Sequence, residues 1–147
     1  MAIVNAVAAI NTLLKMANAG SPSTFVTIAN VGDIAINMSG NVVDVTSHST
    51  GAPWREKLTT LLDAGDLPIK LFFVPDSAGP DGHDGTNGLL SVFTTRSLRR
   101  FSITFPDTGA TVYYFDATIS RFNIIATTAG VLEANVTFTI TGEPIFE

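Results

Sequence analysis

The chain has 147 residues and no cysteine. A disulfide framework and a cysteine-based metal site are both excluded, and folding in a reducing compartment is compatible with that absence. Charge is scarce too: 14% of residues are charged, against roughly 25% in an average soluble domain. Cations are the rarer sign, with eight Lys and Arg against 13 Asp and Glu, for a net charge of −5. Arg96, Arg99 and Arg100 make the only basic cluster. Neutralising a nucleic-acid backbone needs more clustered cations than that. No apolar run is long enough to span a bilayer. Ile3–Leu14 followed by Ala17-Asn18-Ala19 imitates a secretion signal. No basic residue precedes it, however, Asn5 and Asn11 interrupt it, and Lys15 stands just before the would-be cleavage point.

What the chain does have is apolar material, 46% of residues, with a mean hydropathy of +0.34. That rules against disorder and suffices for one domain with a sizeable core. Low charge at this hydropathy has two readings. The surface is buried against other chains, or it is covered by uncharged Thr, Ser and Asn.

Along the chain, residues 1–11 (MAIVNAVAAIN) allow a helix or a flexible arm that orders on contact. Thr12–Ala17 and Phe25–Asn30 read as a hairpin around the five-residue turn Asn18–Pro22. Val31–Met38 and Val42–Ser47 read as strands, and Ser47–Pro53 as a polar loop. Trp54, Leu58, Leu61 and Leu62 fall at i, i+4, i+7 and i+8, one face of a helix. Pro53 suits its first turn and Gly65 its stop. At roughly ten residues such a helix is marginal alone, so these four side chains are expected to pack it on a sheet. Leu67–Val74 (LPIKLFFV) reads as a strand buried on both faces. Asp76–Gly88 is a Gly/Asp/Pro loop, and Leu89–Thr95 fits a strand or a short helix. Phe101–Phe105 and Thr111–Ser120 flank a Pro106–Gly109 turn, and Phe122–Ala126 continues the second strand beyond a bend. After a turn at Thr127–Gly130, Leu132–Thr141 closes the domain with period-2 alternation. In that last strand Val136, Phe138 and Ile140 oppose Thr137, Thr139 and Thr141. A sheet face of small hydroxyls meets water or lines a wet channel, and periodicity alone favours the first.

Chemistry is hard to find. Asp81-Gly82-His83-Asp84 gathers potential ligands, but counting from Asp81 puts Gly85 at position five and Val92 at position twelve of an EF-hand loop, which breaks that pattern. The segment is equally a solvated turn loop. His48 lies among Ser47, Ser49 and Thr50 in a loop, and no G-x-S-x-G, P-loop or G-x-G-x-x-G accompanies it. No carboxylate pair stands out as acid and base. The expectation is a protein that is no enzyme and carries no cofactor or metal.

The order of segments carries a resemblance. NAGSPSTFVTIANV precedes DVTSHSTGAPWREKL, then DAGDLPIKLFFVPDSAG, then FSITFPDTGATVYYFDATISRF, then ANVTFTITGEPIF. Together these are similar to the major tail tube proteins of long-tailed, non-contractile, lambda-like phages, over about residues 12–147. Two departures exist: Asp107-Thr108-Gly109 is one residue longer than the usual Pro-Asp-Gly turn, and the arm at 1–11 is longer and more apolar. The resemblance implies a mainly β fold, an antiparallel β-sandwich or partly closed barrel with one flanking α-helix. It implies hexameric rings stacked into a hollow tube in the virion tail, assembled in the host cytoplasm, with tape-measure, tail-tip and tail-terminator proteins as partners and no membrane. DNA would pass through the lumen without specific binding. Six copies at −5 would carry about −30, and such a wall repels phosphates. On this reading Thr137, Thr139 and Thr141 line the lumen. Ser47, His48, Ser49, Thr50, Asp81, His83 and Asp84 are candidates for ring-to-ring contacts. A contractile-tail tube, a type VI secretion or phage-like particle tube, and a β-sandwich decoration or receptor-binding module are the alternatives.

Overall fold

The computed structural model describes residues 11–18, 21–28, 31–48, 51, 53–75 and 88–147. The elements in chain order are β1 (Leu13–Asn18), β2 (Ser21–Thr27), β3 (Val31–Ile34), β4 (Ser39–Asp44), β5 (Lys57–Asp63), β6 (Asp66–Phe72), α1 (Leu89–Thr94), β7 (Arg99–Thr104), β8 (Val112–Ala126) and β9 (Leu132–Phe146). Seven strands form one sheet in the order β2-β1-β7-β8-β9-β6-β3, while β4 and β5 form a separate two-stranded ribbon.

The sheet must curl. Each of its pairings is antiparallel, so its two edge strands, β2 and β3, run in the same direction. Only Ile28, Ala29 and Asn30 separate them in sequence. Side-by-side parallel strands need a crossover of about a dozen residues or more. A link this short reaches at most about 14 Å from Thr27 to Val31, so β3 continues the line of β2 around a corner. The two edges of the sheet are thereby brought together, which gives a partly closed barrel.

The interior confirms the curl. Phe101 on β7 meets Phe138 on β9 with ring centroids 4.7 Å apart, although β8 lies between those strands. Leu14, Met16, Leu67, Ile69, Leu71, Ile103, Tyr113, Phe115 and Val136 complete a core exposed by 2% or less. Val136, Phe138 and Ile140 all face inward, as their alternation predicts. Phe101 and Ile103 do the same, and Ser102 between them is buried as well.

β8 and β9 bend without exposing this core. Ile119 pairs with Phe138 but Arg121 pairs with Thr137, so Ser120 is an extra residue on β8. This bulge resets the alternation and keeps both Ile119 and Phe122 on the inner face. A second irregularity leaves two additional residues on β9 between the Asp116–Thr141 and Tyr114–Ile145 pairs. Gly142 turns the chain there at φ +81°, a conformation open to glycine. Phe146 then covers Tyr113 at 4.7 Å. The turn between β7 and β8 is tied by Asp107, which accepts hydrogen bonds from the Thr111 hydroxyl at 2.6 Å and the Thr111 backbone N–H at 2.7 Å.

Three expectations are corrected here. Trp54, Leu58, Leu61 and Leu62 do not form a helix packed on the sheet: Lys57–Asp63 is strand β5, and all four side chains are exposed. The flanking helix is α1 instead, whose Leu89 and Val92 are buried and whose Phe93 packs on Phe122, itself edge-on to Phe73. β6 is buried on one face alone, through Leu67, Ile69 and Leu71, while Asp66, Pro68, Lys70 and Phe72 face outward. The β1–β2 turn is shorter than five residues, because Asn18 already pairs with Ser21.

Truncating the interior should be costly. Phe101→Ala is expected to lose about 3–5 kcal/mol of stability in urea unfolding. The Asp107 tie should be pH-dependent. The Thr111 hydroxyl and N–H hold this carboxyl below its usual 3.8. A lowered folded-state value adds stability above pH 3.8 that vanishes as pH falls through the folded value. The Tm gap between the native chain and Asp107→Ala should therefore be largest near pH 7 and shrink below about pH 4.

Candidate functional site

Two surfaces stand out, and neither is a cleft suited to catalysis. The first is the β4–β5 ribbon. It prolongs the β3–β6 pair: β3 leads into β4, and β5 leads back into β6. Its joint is Ala64–Gly65. Gly65 has φ +79°, and a Cβ at that position would collide with the backbone carbonyl oxygen of Asn37. Only glycine satisfies both conditions. The joint is further held by the Gly65 N–H to Asp63 Oδ1 at 2.8 Å and by the Ile140 N–H to the Gly65 carbonyl at 3.2 Å. The same glycine property that resembles a helix stop in the sequence here aims a ribbon.

From that joint the ribbon leaves the barrel; six residues of β4 at about 3.3 Å each extend it by about 20 Å. Val42 and Leu62 belong to one face, and Val43 pairs with Leu58 on the other. Leu62 is 80% and Trp54 77% exposed. The outer end is pinned by polar ties. The Val45 N–H donates to the Glu56 carbonyl at 2.9 Å, and the Glu56 N–H donates to Thr46 Oγ1 at 2.7 Å. Asp44 accepts from the Thr46 N–H at 2.9 Å and meets Arg55 at 3.3 Å. Thr46 first, then Arg55, holds the Asp44 carboxyl below its usual 3.8. A two-stranded ribbon is marginal in water by itself, and apolar side chains on both faces make no sense for a solvated arm.

The second surface is the outer face of β9 and its neighbours. Thr137 is half-buried, and Thr139 and Thr141 are exposed. Thr137 stands between Arg121 and Pro68, Thr139 between Thr118 and Asp66, and Thr141 beside Asp116. A shallow polar cleft here is lined by Asp33, Lys70, Arg121, Asn123, Asn135 and Thr137. Charges on this face are mixed and partly paired, with Lys70–Glu133 at 3.1 Å and Arg100–Asp116 at 3.1 Å.

Of the candidate contact residues, Ser47 and His48 are exposed and lie just beyond β4, toward the far end of the ribbon. Ser49, Thr50, Asp81, His83 and Asp84 lie outside the described residues, as does most of the arm at 1–11. Among the described residues, no group of three or more His, Asp or Glu could hold a metal ion, and no helix is long and apolar enough to cross a membrane. Sequence reasoning missed the ribbon and the Asn123–Asn135 pair. Asn135 was legible two residues before Thr137. Asn123 was hidden by the bulge at Ser120, which shifts its parity.

The model of the lambda phage tail tube protein family matches residues 10–147. The chain belongs to that family. No match is found among curated proteins. The fold of this tail tube protein is similar to a chain in the C6-symmetric tail of an empty gene transfer agent particle, with TM-score 0.78, 21% identity, and coverage of 97% of this chain and 99% of that one. It is similar to the SPP1 tail tube, with TM-score 0.74, 7% identity, and coverage of 97% and 79%. It is also similar to a chain in the baseplate of the anti-feeding prophage, with TM-score 0.66, 14% identity, and coverage of 99% and 97%. Identities this low speak for the fold, and the family match carries the membership.

Gly65→Ala in this tail tube protein should strain the joint by about 1–3 kcal/mol. Limited proteolysis should show faster cutting within residues 39–63 than in the native chain.

Proposed function

We propose that this protein polymerises as stacked hexameric rings into the hollow tail tube, the conduit for DNA ejection. The observation that carries the proposal is the ribbon: a member of a tail tube family extends a two-faced apolar arm that its own barrel does not cover. Six-fold symmetry is supported by the C6 gene transfer agent tail of the same fold. The role is structural, not catalytic. Ring closure uses a heterologous contact that closes on itself, whereas stacking repeats without end.

Within the tube, the Thr137–Thr139–Thr141 face lines the lumen. The reasons are its hydroxyls, its neighbouring amides and its nearly balanced charge. Asp33, Asp66, Asp116 and Glu133 stand there against Lys70, Arg100 and Arg121. A wall without excess cations offers phosphates no place to stick. Ser47 and His48 reach a neighbouring subunit with the ribbon. Tape-measure, tail-tip and tail-terminator proteins are the expected tail partners. Family membership favours the non-contractile tube over a contractile-tail one.

Purified protein at high concentration, with or without a tail-tip initiator, should give tubes of stacked rings in negative-stain electron microscopy. Persistent monomers in both conditions would refute the proposal. The lumen assignment has its own test. Thr139→Cys should react with a bulky maleimide-polymer in free subunits and be shielded from it in intact tubes. Equal labelling in both states would place the threonines outside.

A further inference from the structure

We infer that the β4–β5 ribbon docks axially, onto the rim formed by Phe72, Val74, Ile124 and Val131 of a second copy in the next ring. This rests on the tube reading above and names the surface that reading leaves open. Ribbon and rim lie at opposite ends of one strand. The ribbon leaves β6 at Gly65, just before Asp66. At the other end of β6 Phe72 pairs with Glu133, and the Phe73 N–H donates to the Leu132 carbonyl at 3.1 Å. That bond sets Phe72 and Val74 beside Val131. Ile124 joins them from β8, where it pairs with Ala134. Phe72, Val74, Ile124 and Val131 are 47%, 38%, 46% and 56% exposed.

A donor at one end and an acceptor at the other cannot satisfy each other within a chain. β6 holds them apart by about 20 Å. The same placement makes them meet when copies are translated along β6, which is the head-to-tail contact that builds an open filament. The sizes agree. The exposed ribbon side chains, Trp54 and Leu61 included, present several hundred Å2, on the scale of the ~800 Å2 one partner gives to a standard interface. Charge does not oppose the contact, because Arg55 pairs with Asp44 on the ribbon and Lys70 with Glu133 beside the rim.

The cysteine-free chain makes a direct test possible. Val131→Cys would be combined in one chain with Trp54→Cys, Leu58→Cys or Leu61→Cys. Tubes would be assembled, treated with oxidant or a short bis-maleimide, and run on a denaturing gel. The expected result is a ladder of linked subunits running past six, at least tenfold above the single-cysteine controls. A ladder that stops at six would mean that the ribbon contacts its neighbour within the ring, and would overturn the inference. Normal tubes without any ladder from the three pairs would overturn it too while leaving the tube reading intact. Failure to form tubes at all, with the native chain as well as the variants, would overturn both. As a second variant, Val131→Asp should leave the far-ultraviolet circular dichroism and Tm of the free subunit unchanged and reduce tube yield at least tenfold. Undiminished yield would contradict the inference.

Discussion

The ladder between β8 and β9, two strands of fifteen residues each, is the constraint on which the rest of the structure depends. These strands pair from Tyr113–Phe146 to Ala126–Leu132. β7 hangs on one side of the ladder and β6 on the other. A flat pair of that length would leave one side of Phe115, Phe138 and Val136 in water. The bulge at Ser120 bends the ladder while keeping its inner face apolar on both sides of the bend. Curling then carries the sheet edges together at the β2–β3 corner and buries Phe101 against Phe138. With the edges drawn in, backbone hydrogen-bonding groups that would invite random pairing are largely withdrawn.

What the barrel cannot absorb, it projects. The β3–β6 pair does not stop at the barrel wall; it continues as β4–β5, turned outward at Gly65. Barrel and ribbon thus differ in how they are stabilised. The barrel rests on its own core. The ribbon has cross-strand hydrogen bonds and the Arg55–Asp44 pair, an exposed ion pair that contributes little. Its remaining stability has to come from burial of Leu58, Leu61, Leu62 and Trp54 against another copy. Assembly and ribbon order are then one event, and the subunit alone is incomplete.

Much of this was legible from residues, and the failures have physical causes. Clean alternation located β7 and β9 and separated Val136, Phe138 and Ile140 from the threonines, because a half-buried sheet enforces period 2. The bend before Phe122 was visible in the sequence, and the bulge explains it. The helix expected at Trp54–Leu62 failed because apolar spacing on a surface awaiting a partner is not set by the subunit's own core. Leu61 and Leu62 are consecutive and both exposed, and the pair fits a helix face as well as a strand around an irregular register. β-branched Thr59 and Thr60 were the contrary signal. Helix α1, at six residues, is too short for its periodicity to stand out. The rim at Phe72 and Ile124 was not legible at all, since it is assembled from three separate segments.

Hydrogen–deuterium exchange, compared between free subunits and tubes, measures the central claim most directly. The account predicts fast exchange of the β4 and β5 amides in free subunits and strong protection in tubes, with β7, β8 and β9 protected in both. Ribbon amides already protected in the free subunit, or still unprotected in the tube, would contradict it.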